Sequence, residues 1–237
     1  MSDLLKQLLE TGVISTGIWE TLYMTLLSTA IAYLIGLPLG IILCITAKDG
    51  VKPIVWLNKI LSVFVNIFRS IPFIILMVAM LPVAKLLVGT SLGNDAMVVM
   101  LVIAAAPYIA RMVESSVKEL DKGVIEAARS MGANTFEIVW KVMLPEAKPS
   151  LIVGAVISTV TVLGYSAMAG TIGGTGLGQI AITYGYQRFK DDVVWICVII
   201  MVIIVQVIQE LGMFIARKVD KRLGGKAKKK SVNTDEE

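Results

Sequence analysis

Few side chains in this sequence could carry covalent or metal chemistry. The sequence contains no histidine, which removes nucleophilic sites that use a histidine base and most zinc sites. The two cysteines, Cys44 and Cys197, both lie inside apolar runs, so neither a structural disulfide nor a cysteine metal site is expected. The apolar runs also lack paired carboxylates and a nucleophile beside its base. These observations argue against an enzyme.

A glycine-rich run, Gly170 to Gly178, is the part of the sequence most like a nucleotide-binding loop. A phosphate-binding P-loop ends in Gly-Lys followed by Ser or Thr, because the lysine and the backbone amides hold the phosphates. This run has no lysine, and Gln179 stands where the last glycine of a Gly-x-Gly-x-x-Gly motif should be. We therefore expect no ATP site in this chain, and we predict a flexible turn at the external membrane surface.

The segment with the most informative spacing begins with two residues that form and pack a helix. Ala127 and Ala128 are small helix formers that let another surface approach closely. Gly132 follows at the place where a left-handed residue would end that helix. The first half of the segment therefore predicts a short helix with a defined end.

The second half of the segment predicts a second short helix. Asn134 or Thr135 can cap it, and Pro145 is expected to stop it after Met143. The result would be a helix-turn-helix knob that projects into the cytoplasm, within a loop at about 120–148. The alternative is a loop that only joins two membrane spans. The residues assigned to the knob are Glu126, Ala127, Ala128, Gly132, Leu144 and Pro145.

The elements that hold this knob are membrane spans. Apolar types make up 56% of the residues and charged types only 17%, with a mean hydropathy of +0.80. Apolar runs near 20 residues in length recur, as expected for helices that cross a bilayer. We predict an all-α integral membrane protein, with residues 54–70 as an amphipathic or interfacial helix. The five predicted transmembrane helices are 22–47, 71–88, 96–110, 151–168 and 193–216, which together form a domain over 22–216.

Charge decides the predicted orientation of the spans. With the C-terminus in the cytoplasm, 18 of the 22 Lys and Arg residues lie on the cytoplasmic side, as the positive-inside rule requires. Residues 1–21 are then an external segment, and 217–237 form a basic cytoplasmic tail that we predict to be disordered. Arg69, Arg111 and Glu114 are expected near the cytoplasmic edge, where they pair or reach the headgroups.

The knob resembles the "EAA loop" of importer permeases in the ATP-binding-cassette superfamily. That motif is Glu-Ala-Ala, three residues, Gly, nine residues, an aliphatic residue, one residue and Leu-Pro, and every position matches EAARSMG at 126–132 and VMLP at 142–145. The resemblance implies that the knob docks in a groove of a separate ATPase. ATP and Mg²⁺ would then be bound by that partner, and no cofactor by this chain.

The resemblance extends to the methionine-uptake branch of this family. It implies the compact type I importer fold, a bacterial inner (plasma) membrane location and methionine as cargo, in the D and L forms. It also implies a homodimer of this chain, two ATPase subunits and an external methionine-binding lipoprotein. The segments that carry the resemblance are NIFRSIPFI at 66–74, APYIARMVE at 106–114, GYSAMAG at 164–170, GLGQ at 176–179 and YGY at 184–186.

In that branch a methionine narrows the path between the two copies, and the matching residue here is Met168. Its flexible, polarizable side chain suits a gate in an apolar pore. Tyr165, Ser166 and Ser158 lie on the same predicted helix and are assigned to the path with it. The alternative is ordinary packing, since small polar residues at this spacing are common helix contacts.

The sequence also bears on three other functions. The same type of permease for another amino acid or small polar solute is compatible with the sequence, because selectivity in such importers lies largely on the external binding protein. An ion-coupled secondary transporter would need ionisable groups in the middles of the spans, and the predicted spans carry none there. A membrane-embedded enzyme lacks its catalytic groups.

Overall fold

The computed structural model describes residues 3–220, and every regular element in that range is helical. Two π-helical turns, Ile138–Met143 and Ala181–Tyr186, join neighbouring helices, and Gly170–Ile172 forms one 3₁₀ turn. The helices are α1 Asp3–Glu10, α2 Val13–Thr46, α3 Val55–Ser70, α4 Phe73–Val88, α5 Asn94–Lys118, α6 Lys122–Ser130, α7 Thr135–Glu137, α8 Leu144–Ala169, α9 Leu177–Ile180 and α10 Asp191–Val219.

Four helical segments are long and apolar enough to cross a membrane. They are α2, α5, α10 and the continuous run Thr135–Ile172 that contains α8. The all-α membrane fold predicted from the sequence is therefore confirmed. The first span begins earlier than predicted, at Val13 rather than Leu22. The last reaches Val219, so it includes the start of the predicted tail, and residues 221–237 lie outside the described range.

α3 and α4 are long and apolar enough for a fifth crossing only when they are taken as a pair. α3 and α4 each have 16 residues and meet at a bend of 110°. A 16-residue helix is about 24 Å long, which is less than the hydrocarbon core of about 30 Å. α4 alone is thus shorter than a full crossing, and the crossing at 71–88 stays a prediction. Pro72, which removes a backbone donor at the break, explains why the chain turns there.

α5 forms the centre of the bundle and packs on α2, α3, α4 and α8. Its approach to α2 depends on two glycines. A Cβ at Gly36 would lie 2.7 Å from Ile109 Cγ2, and one at Gly40 would lie 2.5 Å from the Ala110 carbonyl oxygen. Close packing of this kind holds membrane helices together, because lipid gives no hydrophobic drive for their association.

The glycine-rich run at 170–178 is packed into the bundle. The Gly176 N–H donates to Glu20 Oε2 at 3.1 Å, and the Leu177 N–H donates to Thr21 Oγ1 at 2.9 Å. A Cβ at Gly178 would lie 2.1 Å from the Ala167 carbonyl oxygen. The prediction of a flexible turn is wrong, because these glycines permit close approach of backbone to backbone.

Candidate functional site

The first helix of the knob is α6, and it has a fully defined end. The Ala133 N–H donates to the Ala128 carbonyl at 3.1 Å and the Gly132 N–H to the Arg129 carbonyl at 2.9 Å, which together form a Schellman motif. Gly132 has φ +83°, and a Cβ there would meet nothing within 4 Å. Glycine is needed here for its backbone conformation and not for space, as the sequence predicted.

The second helix of the knob begins with α7, and its first turn has a reciprocal cap. Asn134 Oδ1 accepts from the Glu137 N–H at 2.9 Å, and Glu137 Oε2 accepts from the Asn134 N–H at 3.1 Å. This capping box fixes where the chain re-enters a helix. Lys141 Nζ donates to Glu137 Oε1 at 3.0 Å. The Lys141 ammonium, followed by the Asn134 backbone, holds the pKa of the exposed Glu137 carboxyl below its ordinary value.

The second knob helix does not stop at Pro145, contrary to the prediction. The π-helical turn Ile138–Met143 precedes α8, and the Leu144 N–H donates to the Val139 carbonyl five residues back. Proline lacks an N–H and clashes with a carbonyl one turn earlier in an α-helix. The wider π turn absorbs this conflict and places Pro145 in the first turn of α8. The knob is therefore continuous with a membrane-crossing helix.

The knob exposes apolar side chains as well as two of its motif residues. Met131 is 82% exposed and Phe136 69% exposed. Glu126 and Ala127 are also exposed, whereas Ala128 is buried. Phe136 also contacts the exposed Trp140, with ring centroids 5.9 Å apart, and exposed apolar groups of this kind are typical of a protein docking site.

The inner side of the knob is attached to the loop that follows α2. Arg129 Nη2 donates to the Val51 carbonyl oxygen, and Lys122 Nζ lies 3.6 Å from Asp49 Oδ2. Glu126 lines the small cleft of about 130 Å³ between these groups. The motif carboxylate thus lies at the boundary between the knob and the membrane-crossing helices.

The two predicted path serines lie inside the protomer. Ser158 and Ser166 are 0% and 1% exposed. Ser158 Oγ lies 3.9 Å from Met112 Sδ. Ser166 Oγ donates to the Leu163 carbonyl at 2.8 Å and lies 3.3 Å from Thr25 Oγ1. These contacts join α8 to α5 and α2.

The other two predicted path residues face outward or into a cleft. Met168 is 46% exposed. Tyr165 is half-buried and stacks on Phe73, with ring centroids 4.2 Å apart and planes 11° apart. Ile157 is exposed, and a Cβ at Gly164 would meet nothing within 4 Å. Ile157, Gly164 and Met168 recur at helical spacing, so α8 has one open face, here called the α8 stripe.

Charged groups near the knob end of α5 are paired, as predicted for two of them. Glu114 is 5% exposed. Its carboxylate lies 2.6 Å from Arg111 Nη1 and 2.8 Å from Lys118 Nζ. Arg111 also donates to Asn66 Oδ1 at 3.0 Å.

Arg69 does not lie at the edge with that cluster. α3 packs along α5 through Val65 and Ala110, and this carries Arg69 to a cleft beside Ala104 and Tyr108, in the middle of α5. The prediction of an edge position is wrong because it treated the segment before Pro72 as lying flat at the interface. Within residues 3–220, no cluster of three or more His, Cys, Asp or Glu side chains could hold a metal ion.

The sequence pattern of a known family covers most of this arrangement. A family model described as the binding-protein-dependent transport system inner membrane component matches residues 36–225. The chain belongs to this family. The matched residues include the knob, the α8 stripe and the cleft that Arg69 lines. As a member of this family, the inner membrane component is a transport subunit.

Named relatives are similar to the inner membrane component over nearly its whole length. A probable D-methionine transport system permease protein MetI from Vibrio cholerae is 45% identical over 214 residues, covering 90% of this chain and 95% of the relative. The methionine import system permease protein MetP from Bacillus subtilis is 46% identical and covers 86% and 92%.

Solved structures share the same fold. A chain of the MetNI methionine ABC transporter, in an inward-facing conformation, matches with a TM-score of 0.87 at 46% identity, covering 93% of this chain and 100% of that one. A chain of an amino acid ABC transporter solved with histidines matches with a TM-score of 0.74 at 21% identity. The second likeness concerns the fold alone.

Proposed function

We propose that this permease subunit forms the membrane path for methionine in an ATP-binding-cassette importer. The observation that carries the proposal is the continuity of the knob with the membrane-crossing helix. The knob presents Met131 and Phe136 to a partner, and the same helix, Thr135–Ile172, carries Met168. A partner that moves the knob would therefore also move the α8 stripe.

The partner proposed for the knob is a separate ATPase subunit that binds ATP and Mg²⁺. The glycine-rich run of this chain is occupied by contacts with Glu20 and Thr21, so it offers no phosphate cradle. The knob residues Glu126, Ala127, Ala128, Gly132, Leu144 and Pro145 transmit the movement of the ATPase. Two ATPase subunits would serve two copies of the permease.

The second copy is proposed to cover the α8 stripe. A crossing helix with an open face of Ile157, Gly164 and Met168 fits a close contact between two helices, because small residues let backbones approach. In this dimer Met168 narrows the path and Tyr165 lies beside it. Ser158 and Ser166 hold the helix that carries them.

The proposed orientation places the knob in the cytoplasm and the N-terminus outside. Lys118, Lys122 and Arg129 lie at the knob end of the bundle, and positive residues favour the cytoplasmic side. An external methionine-binding lipoprotein would then deliver cargo to the opposite end, where the glycine-rich turn lies.

Methionine as the cargo is supported by relatives from two distant bacteria, which are named for D-methionine and methionine transport. We expect both enantiomers to be carried, because selection by the external binding protein precedes entry to the membrane path. The alternative cargo is another amino acid, and the test must distinguish it from methionine.

The test is uptake of radiolabelled methionine by proteoliposomes that contain the permease, its ATPase and its binding protein. We expect uptake that requires ATP and both partners and that unlabelled methionine competes. Uptake competed better by a different amino acid would overturn the cargo. Methionine uptake that continues without the ATPase would overturn the importer mechanism and point to a facilitator or a secondary transporter.

A further inference from the structure

A cleft of about 160 Å³ opens at the break between α3 and α4. Four helices line it: α3, α4, α5 and the path-carrying α8. Arg69 comes from the end of α3, Phe73 from the start of α4, and Tyr108 from α5. Tyr165 of α8 closes it, one helical turn from Met168. The cleft therefore adjoins the proposed gate.

The residues of α5 that line the cleft show how far into the bundle it lies. Ala104 and Tyr108 line it, and both lie within about two residues, or ~3 Å, of the midpoint of the helix Asn94–Lys118. Arg69 is thus held near the middle of the membrane-crossing bundle. Arginine at such a depth is costly and marks a path or a ligand site when it faces one.

Arg69 differs from the other arginine of this region in having no partner. Arg111 is satisfied by Glu114 and Asn66. Arg69 is exposed and makes no hydrogen bond or ion pair with any residue that the structure describes. Its guanidinium is therefore available to a group that enters the cleft.

The remaining walls suit an amino acid with an apolar side chain. The stacked rings of Phe73 and Tyr165 and the buried Leu76 form an apolar side. A planar guanidinium binds a carboxylate through two parallel hydrogen bonds, and a thioether makes favourable contacts at aromatic rings. Tyr108 also lines the cleft and adds a third aromatic ring to this side.

We propose that the Arg69 cleft is a transient binding site for the α-carboxylate of an amino acid on its way through the membrane. The proposal rests on the transport function above and adds a site inside the membrane path. Arg69 binds the carboxylate, and the Phe73–Tyr165 pair contacts the side chain. Arg69 is exposed at this site, so cargo can leave it again, as transport requires.

The test is equilibrium binding of radiolabelled methionine to the purified permease–ATPase complex without the binding protein. We expect saturable binding that norleucine displaces, because it keeps the carboxylate, and that methioninamide does not displace. Arg69→Gln should weaken binding by about tenfold or more, since a charged hydrogen-bond pair is lost. Arg69→Lys should retain part of it. The matched control is Lys59→Gln, which removes an exposed charge from the same helix outside the cleft.

Two results would overturn the proposal. One is methionine binding that is equal in wild type and Arg69→Gln. The other is a wild-type complex that binds no methionine but copurifies with anionic phospholipid, when the Arg69→Gln complex does not. That result would make the cleft a site for lipid headgroups. If Arg69→Gln does not assemble with the ATPase, Ala104→Leu replaces it. That variant fills the cleft but keeps the charge, and it should also lose methionine binding.

Failure of this site is distinguishable from failure of the transport function. Wild-type proteoliposomes that import methionine, together with Arg69→Gln proteoliposomes of unchanged KM and rate, would remove the site and leave the importer. Wild-type proteoliposomes that import a different amino acid would remove methionine as cargo, and the binding measurement would be repeated with that amino acid.

Discussion

Asn134 caps the same continuous helix that carries Met168. The helix runs from Thr135 to Ile172, and the two residues are about 50 Å apart along its axis at 1.5 Å per residue. The π turn before Pro145 keeps the helix unbroken. Movement of the knob can therefore reach the proposed gate through one continuous helix, without a chain of side-chain contacts.

Met168→Cys tests whether two copies meet at the α8 stripe. In a background with Cys44 and Cys197 replaced by alanine, we expect this variant to form a disulfide-linked dimer on oxidation, because Met168 is exposed and faces the proposed partner. A disulfide needs Cα atoms within about 7 Å. Ser158→Cys on the same helix is buried and should stay monomeric on a denaturing gel. An assembled complex whose Met168→Cys copies never cross-link would contradict the proposed gate.

Glu114→Gln should destabilise the knob end of the bundle. The carboxylate is nearly fully buried and neutralises Arg111 and Lys118. Its loss leaves Arg111 without its charged partner, which costs up to about 3 kcal/mol. The melting temperature of the detergent-purified protein should fall by several degrees. Asp49→Asn breaks the exposed pair with Lys122 and should change it little, because surface pairs contribute under about 1 kcal/mol. Equal melting temperatures for Glu114→Gln and wild type would refute this role.

Gly178→Ala should disrupt the packing of the glycine-rich turn. The new Cβ would lie 2.1 Å from the Ala167 carbonyl oxygen, and backbone cannot move aside as a side chain can. We expect a lower melting temperature and less assembled complex. A fully stable Gly178→Ala protein would mean that the turn is loose, as the sequence alone suggested.

Local signals made much of the knob predictable. Gly132 and Asn134 act through the backbone of their own neighbours, so their types and spacing were enough to place a Schellman motif and a cap. The membrane spans followed from apolar length in the same way. Asn134 rather than Thr135 proved to be the cap, and Glu137 three residues later is the signal that could have decided it.

The rest depended on contacts between distant parts of the chain. The sequence around Pro145 predicts that the helix ends there. Only the π turn before it shows how the helix continues. Arg69 was predicted at the edge because its helix also carries Asn58, Lys59 and Asn66, but its position is set by how α3 packs on α5. Tyr108 was not predicted as a site residue, since nothing near it in sequence marks the cleft that it lines.

The most direct test of the account compares ATP-driven methionine uptake by Gly132→Val and Gly132→Asn. Both variants fit the space, because nothing lies within 4 Å of a Cβ at Gly132. Only valine opposes the φ of +83°, since β-branched residues avoid this region and asparagine tolerates it. The account predicts that uptake is lost in Gly132→Val and largely kept in Gly132→Asn, with both proteins inserted in the membrane. Full uptake by Gly132→Val would contradict the claim that this knob couples the ATPase to the membrane path.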